Sequence, residues 1–211
     1  MELPRFYPIL DTGALARHNY PPLLAAEAML EAGARILQLR HKGYFSRQLF
    51  EQAEYVGRLC RHFGARWIVN DRADLAVLLD AGLHVGQDDL PPAAARRLMG
   101  PDRAVGFSTH NPAQMELAAG EPVDYLALGP IFATASKENP DPVVGLEQLR
   151  QWRTLTPRPV VAIGGIRRDN AAAVLEAGAD SVAVIGDLLP EECTKTSVRK
   201  RVEEWIALVR Q

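Results

Sequence analysis

Cysteine is scarce in this 211-residue chain. Cys60 and Cys193 lie far apart and outside any Cys-x-x-Cys pair. That excludes a disulfide framework and a thiolate metal cage, and two reduced thiols fit a cytoplasmic protein. Cys60 shares a helical pattern with Val56 and Leu59, so burial is its expected role. Long apolar runs are also missing: none approaches the ~20 residues that span a bilayer. Charge of one sign is not in excess either. A net charge of −2 gives no electrostatic reason to bind nucleic acid or an anionic membrane. Met1-Glu2-Leu3-Pro4-Arg5 lacks the basic and apolar regions of a signal peptide. No linker, low-complexity tract or shift in composition divides residues 1–211, which are therefore read as one domain.

What is present is an alternation. Short, nearly continuous apolar segments at Phe6–Leu10, Ile36–Arg40, Trp67–Asn70, Leu83–Gly86, Ala104–Ser108, Tyr125–Gly129, Pro159–Gly164 and Ser181–Gly186 read as strands covered on both faces. Helical patterns lie between them. Pro21-Pro22, Pro91-Pro92 and Asn111-Pro112 open helices, Ser46 is an N-cap, and Asp169 caps a helix that ends at Gly178. One helix is expected over Gly145–Leu155 and an amphipathic one over Lys195–Arg210. Its Trp205, Ile206 and Val209 face either the domain or a second copy in a homo-oligomer. Eight strand–helix units in about 200 residues match the smallest closed (β/α)8 barrels. A doubly wound sheet has a Gly-rich turn after its first strand, and Asp11-Thr12-Gly13 is not that turn.

In a barrel the functional groups sit at the C-terminal ends of the strands. The polar residues gathered there are Gln38, Arg40 and Lys42, then Asn70 and Asp71, then Asp88 and Asp89, then Ser108 and His110. The long loop Pro130–Val144 follows strand six, and Gly164-Gly165 and Gly186 end strands seven and eight. Glycines after those last two strands allow backbone N–H groups to approach a phosphate, and Thr134 and Ser136 add hydroxyls. Asp71 alone reads as a helix cap, and Asp88 and Asp89 alone as a turn. Together on adjacent strands, facing Arg40, Lys42 and Lys137, the pair Asp71 and Asp89 reads better as a Mg2+–diphosphate site, because neighbouring carboxylates repel without a cation between them. His110 is the main candidate base. His41 and His84 are weaker candidates, and His84, flanked by Leu83 and Val85, is read as packed. This set suits departure of a diphosphate beside a second, phosphorylated small molecule.

The motifs Gln38-Leu39-Arg40-x-Lys42, Asn70-Asp71-Arg72, Val85-Gly86-Gln87-x-Asp89, Gly106-x-Ser108-x-His110, Gly129-Pro130-Ile131-Phe132-x-Thr134-x-Ser136-Lys137 and Ile163-Gly164-Gly165-Ile166, in this order, resemble the thiamine phosphate synthase (thiamine-phosphate pyrophosphorylase) family along nearly the whole chain. The resemblance implies a (β/α)8 barrel that joins 4-amino-5-hydroxymethyl-2-methylpyrimidine diphosphate to 4-methyl-5-(2-hydroxyethyl)thiazole phosphate, giving thiamine phosphate and pyrophosphate through a carbocation-like pyrimidine. It further implies that Asp71 and Asp89 bind Mg2+, and that Arg40, Lys42, Asn70 and Lys137 hold the diphosphate. Gln38 then faces the pyrimidine and Ser108 lies at the reacting centre. Thr134, Ser136, Gly165 and the backbone at Ile185-Gly186 hold the thiazole phosphate.

Departures from the family pattern are His41 for a frequent Glu, Ser136 for Thr, Gly186 for Ser, and a shortened turn at 79–83. A related thiazole tautomerase lacks the full diphosphate set, so retention of Arg40, Lys42, Asp71, Asp89 and Lys137 argues against it. A non-catalytic, phosphate-binding barrel would leave that set idle.

Overall fold

The computed structural model describes residues 2–134 and 141–210. Eight parallel strands close a barrel in chain order: β1 (Phe6–Asp11), β2 (Ile36–Arg40), β3 (Arg66–Asn70), β4 (Gly82–Val85), β5 (Val105–Thr109), β6 (Tyr125–Leu128), β7 (Val160–Ile163) and β8 (Ser181–Val184). The helices on the outside are α1 (Thr12–Arg17), α2 (Pro22–Glu31), α3 (Arg47–His62), α4 (Ala73–Leu78), α5 (Pro92–Met99), α6 (Pro112–Ala119), α7 (Gly145–Trp152), α8 (Ala171–Glu176) and α9 (Lys195–Val209). The chain is thus a (β/α)8 barrel, as the alternation implies. Among the described residues no helix is long and apolar enough to cross a membrane.

Period-two alternation divides the strand side chains into two layers. Tyr7, Ile9, Ile36, Ile68, Tyr125, Ala127, Val161 and Ala183 fill the barrel interior. Leu37, Leu39, Val69, Leu83, Val85, Leu126 and Val160 point outward into the larger core under the helices. Gln38 sits between outward-facing Leu37 and Leu39 and is therefore inward, where it is buried.

Local chemistry explains most boundaries. Ser46 accepts from Leu49 N at 3.2 Å and Asn111 from Gln114 N at 3.0 Å, as expected of N-caps. Several expected boundaries are corrected. The expected cap Asp169 is not one: α8 begins at Ala171, and Asn170 precedes it. The Asn170 side chain accepts from Arg167 N and donates to Gly165 O, which fixes the turn one residue later. Strands β7 and β8 end at Ile163 and Val184, before the glycines, because Gly164 and Gly165 take positive φ (97° and 64°) and Gly186 opens a 3-10 turn. The helix expected to Leu155 tightens into a 3-10 turn at Arg153–Leu155. Helix α1 is additional; the Asp11 carboxylate starts it by accepting from Ala14 N at 2.7 Å.

The last helix packs on its own barrel. Trp205 is wholly buried and stacks on Phe6 with centroids 5.5 Å apart, while Lys195 pairs with Glu27 and Glu31 of α2.

Candidate active site

The C-terminal strand ends surround one cavity of about 870 Å3. Gln38, Arg40, Lys42, Asn70, Asp71, Asp89, Ser108, Thr134, Gly165, Ile185 and Gly186 all line it. Ser136 and Lys137 lie outside the described residues.

One wall is charged. Lys42 Nζ donates to Asp71 Oδ2 at 2.6 Å, and Arg40 pairs with Asp11 at the end of β1. Asp71 does not cap α4; Arg72 occupies that position without a side-chain cap. Instead Asp71 adopts φ 66°, with its N–H donating to His84 O at 2.8 Å. That left-handed kink turns the chain as β3 ends, in a region open to Asp and Asn more than to most residues. Asp89 accepts from Gly86 N at 2.7 Å. Burial and then the adjacent Asp71 carboxylate push Asp89 above the usual carboxylate range, against the pull of the Gly86 N–H. A cation suits this carboxylate pair. Among the described residues no three His, Cys, Asp or Glu side chains gather as a metal cage. Two carboxylates completed by water and phosphate oxygens are the donor set of Mg2+.

The opposite wall is built from backbone. Ile131 N donates to Ile163 O and Phe132 N to Gly164 O, so the loop after β6 lies against the end of β7. A Cβ on Gly164 would come within 2.5 Å of Pro130 Cβ, and one on Gly165 within 2.5 Å of Ala133 O. Both positions have room for glycine alone. Gly186 is different: a Cβ there meets nothing within 4 Å, so the absent serine side chain leaves open space.

The floor holds a polar chain. Gln38 Nε2 donates to Tyr7 OH at 2.9 Å, and Tyr7 OH and Tyr125 OH are 2.8 Å apart. Tyr125 OH lies 3.0 Å from His84 Nδ1, and His84 Nε2 lies 2.9 Å from Ser108 Oγ. Burial raises Tyr7 to about 12 and Tyr125 well above the phenol range, so both keep their protons. His84, read from sequence as packed, is indeed buried, stacked on Tyr125, yet it also lines the cavity. Tyr7, Tyr125 and Asp11 were not singled out by sequence. Tyr7 and Tyr125 sit on apolar strands, and only the inward register joins them to Gln38 and Ser108. His110 Nδ1 is 2.6 Å from Gly129 O, a carbonyl that requires the proton on that nitrogen.

Burial depresses His84 from 6.5 to about 4. Below about pH 6.5 the unfolded chain gains a proton that the folded chain refuses, so stability falls with pH until about pH 4. The expected contribution is about 3 kcal/mol. Urea unfolding of wild type and His84→Gln at pH 7 and pH 4 checks it: the variant should lose that much less on acidification. Equal losses would mean that the folded barrel accepts a charged His84.

A sequence profile described as thiamine monophosphate synthase matches residues 6–188. The chain belongs to the thiamine monophosphate synthase family. A thiamine-phosphate synthase of Koribacter versatilis is 46% identical over 99% of this chain and 97% of its own length. One from Chloroflexus aurantiacus is 40% identical over 93% and 90%. A thiamine phosphate pyrophosphorylase structure from Pyrococcus furiosus superposes with a TM-score of 0.84 at 33% identity, covering 98% of this chain and 95% of its own. Family membership agrees with the resemblance carried by the sequence motifs, and the relatives' coverage spans both walls of the cavity.

Proposed function

We propose that the protein is a transferase that couples 4-amino-5-hydroxymethyl-2-methylpyrimidine diphosphate to 4-methyl-5-(2-hydroxyethyl)thiazole phosphate, releasing pyrophosphate and forming thiamine phosphate. The observation that carries this reading is the pairing, within one cavity, of a Lys42–Asp71–Asp89 wall with a glycine cradle at Gly164-Gly165. The two walls suit two anions of different charge. The relatives' names point to the same product.

In this reading Lys42, Arg40 and Asn70 bind the diphosphate, and Gln38 orients the pyrimidine from the barrel floor. Lys137 is expected to join them from the loop. Gly165, Ile185 and Gly186 offer backbone N–H groups to the thiazole phosphate, with the Thr134 hydroxyl at the same cavity and Ser136 expected to add a second. The bond between the pyrimidine methylene carbon and the diphosphate oxygen breaks, and its electron pair leaves with the diphosphate. The amino-substituted ring delocalises the positive charge left on carbon. The thiazole nitrogen lone pair then forms the new C–N bond, so this step needs no base. Ser108, at the end of β5, lies where the oxygen departs and stabilises its growing charge. Asp71 and Asp89 would hold Mg2+, which supplies charge neutralisation for a departing diphosphate when bound. The free, largely unexposed thiols fit a cytoplasmic enzyme with small-molecule substrates.

Pyrophosphate release tests the function directly. With both substrates and Mg2+, release should match thiamine phosphate formation one for one. EDTA should abolish it and excess Mg2+ restore it. Folded protein that releases no pyrophosphate from verified substrates would overturn the reading, and release that is indifferent to EDTA would remove Mg2+ from it.

A further inference from the structure

We propose that the buried chain Gln38–Tyr7–Tyr125–His84–Ser108 runs in one direction, each group donating to the next, and so presents the Ser108 hydroxyl to substrate as a hydrogen-bond donor. Tyr7, Tyr125 and His84 are then positioning residues for the reaction. The inference deepens the proposed function and rests on it for the identity of the acceptor, the departing diphosphate oxygen.

Donor counting sets the direction. The Gln38 amide nitrogen can only donate, and it donates to Tyr7 OH at 2.9 Å. Either hydroxyl of the Tyr7–Tyr125 pair can donate across their 2.8 Å separation; in the proposed order the single Tyr7 proton goes to the oxygen of Tyr125. The Tyr125 proton then goes to His84 Nδ1 at 3.0 Å, which must be bare to accept it. A neutral imidazole with bare Nδ1 carries its proton on Nε2, and that N–H donates to Ser108 Oγ at 2.9 Å. The Ser108 oxygen is thereby occupied as an acceptor, and its own proton is free for the cavity that Ser108 lines. Gln87 Nε2 holds the Ser108 carbonyl at 2.5 Å, which fixes the backbone from which the hydroxyl projects.

Gln38, Tyr7, Tyr125 and His84 are all buried at the cavity floor, and each links to the next within 3.0 Å, so the order of partners is set by packing. The opposite direction would turn Ser108 into a donor to His84, put the imidazole proton on Nδ1, and show the substrate only lone pairs. A departing oxygen gains negative charge, so only the first direction assists it.

The two directions require opposite neutral tautomers of His84. Long-range 1H–15N correlation NMR on 15N-histidine-labelled protein, with the resonance assigned by His84→Gln, should show the Nε2–H tautomer. The Nδ1–H tautomer or a doubly protonated ring would overturn the proposal. A kinetic cycle reads the consequence. Tyr125→Phe should lower kcat about tenfold, the scale of one coupled hydrogen bond, with the KM for thiazole phosphate unchanged. In a Ser108→Ala background the same change should cost less than about twofold. Equal losses in both backgrounds would show a merely structural role and sink the idea. Should Tyr125→Phe fail to fold, the tautomer of the unaltered protein decides. Absence of turnover in that unaltered protein would overturn the functional reading instead, and the tautomer would still report the direction of the chain.

Discussion

Asp71→Asn is expected to lower kcat/KM for the pyrimidine diphosphate by about 100- to 1,000-fold. Binding of thiazole phosphate, read by titration calorimetry, should change by less than about twofold, as for separated sites. The carboxylate faces Lys42 and Asp89, whereas the glycine cradle lies across the cavity at the ends of β7 and β8. Asparagine is the informative replacement because Asp71 has φ 66°. Asparagine tolerates that conformation, while alanine would add backbone strain of about 1 kcal/mol and blur the result. Asp89→Asn should behave alike. A matched loss of both ligands would mean that the carboxylates serve the fold rather than the diphosphate.

Gly106→Ala should destabilise the barrel by about 3 kcal/mol and suppress turnover together. A Cβ there would lie 2.1 Å from Tyr125 Cζ and 2.5 Å from His84 Nδ1. Both are rigid rings stacked 5.5 Å apart inside the barrel, so neither can move without breaking the Gln38–Ser108 chain. Gly120→Ala is the control: its Cβ would meet only Leu117 O, at 3.8 Å, and its stability should stay within about 0.5 kcal/mol of wild type. Urea denaturation of both variants measures the contrast. If Gly106→Ala proved as stable as Gly120→Ala, the ring pair could not occupy the space next to β5.

Much of this is legible in the sequence. Parallel strands covered on both faces leave apolar runs, and those runs were visible at all eight strands. Polar residues that interrupt the runs at their C-terminal ends marked the cavity: Arg40, Lys42, Asn70, Asp71, Asp89 and Ser108 all line it. Chain order placed Asp71 and Asp89 on neighbouring strands, and their mutual effect on Asp89 agrees.

Other features were not legible, for physical reasons. Asp11 resembles a strand running into a turn, and its double engagement with Ala14 N and Arg40 depends on β1 lying beside β2. His84 between two apolar neighbours has the pattern of a core residue, and it is one. That it also joins Tyr125 to Ser108 follows from the register His84–Gly106–Tyr125 across three strands. The shift of the α8 cap from Asp169 to Asn170 came from side-chain bonds within a tight turn, which residue type alone does not rank.

By itself, then, the sequence determined the barrel and the polar strand ends that line its cavity, because hydrophobic period and strand-end polarity are local properties of the chain. The tertiary structure decided which inward side chains touch. Closing eight strands brings Tyr7 of β1 against Tyr125 of β6, 118 residues apart, and a contact of that range is set by register and curvature rather than by any neighbouring residue.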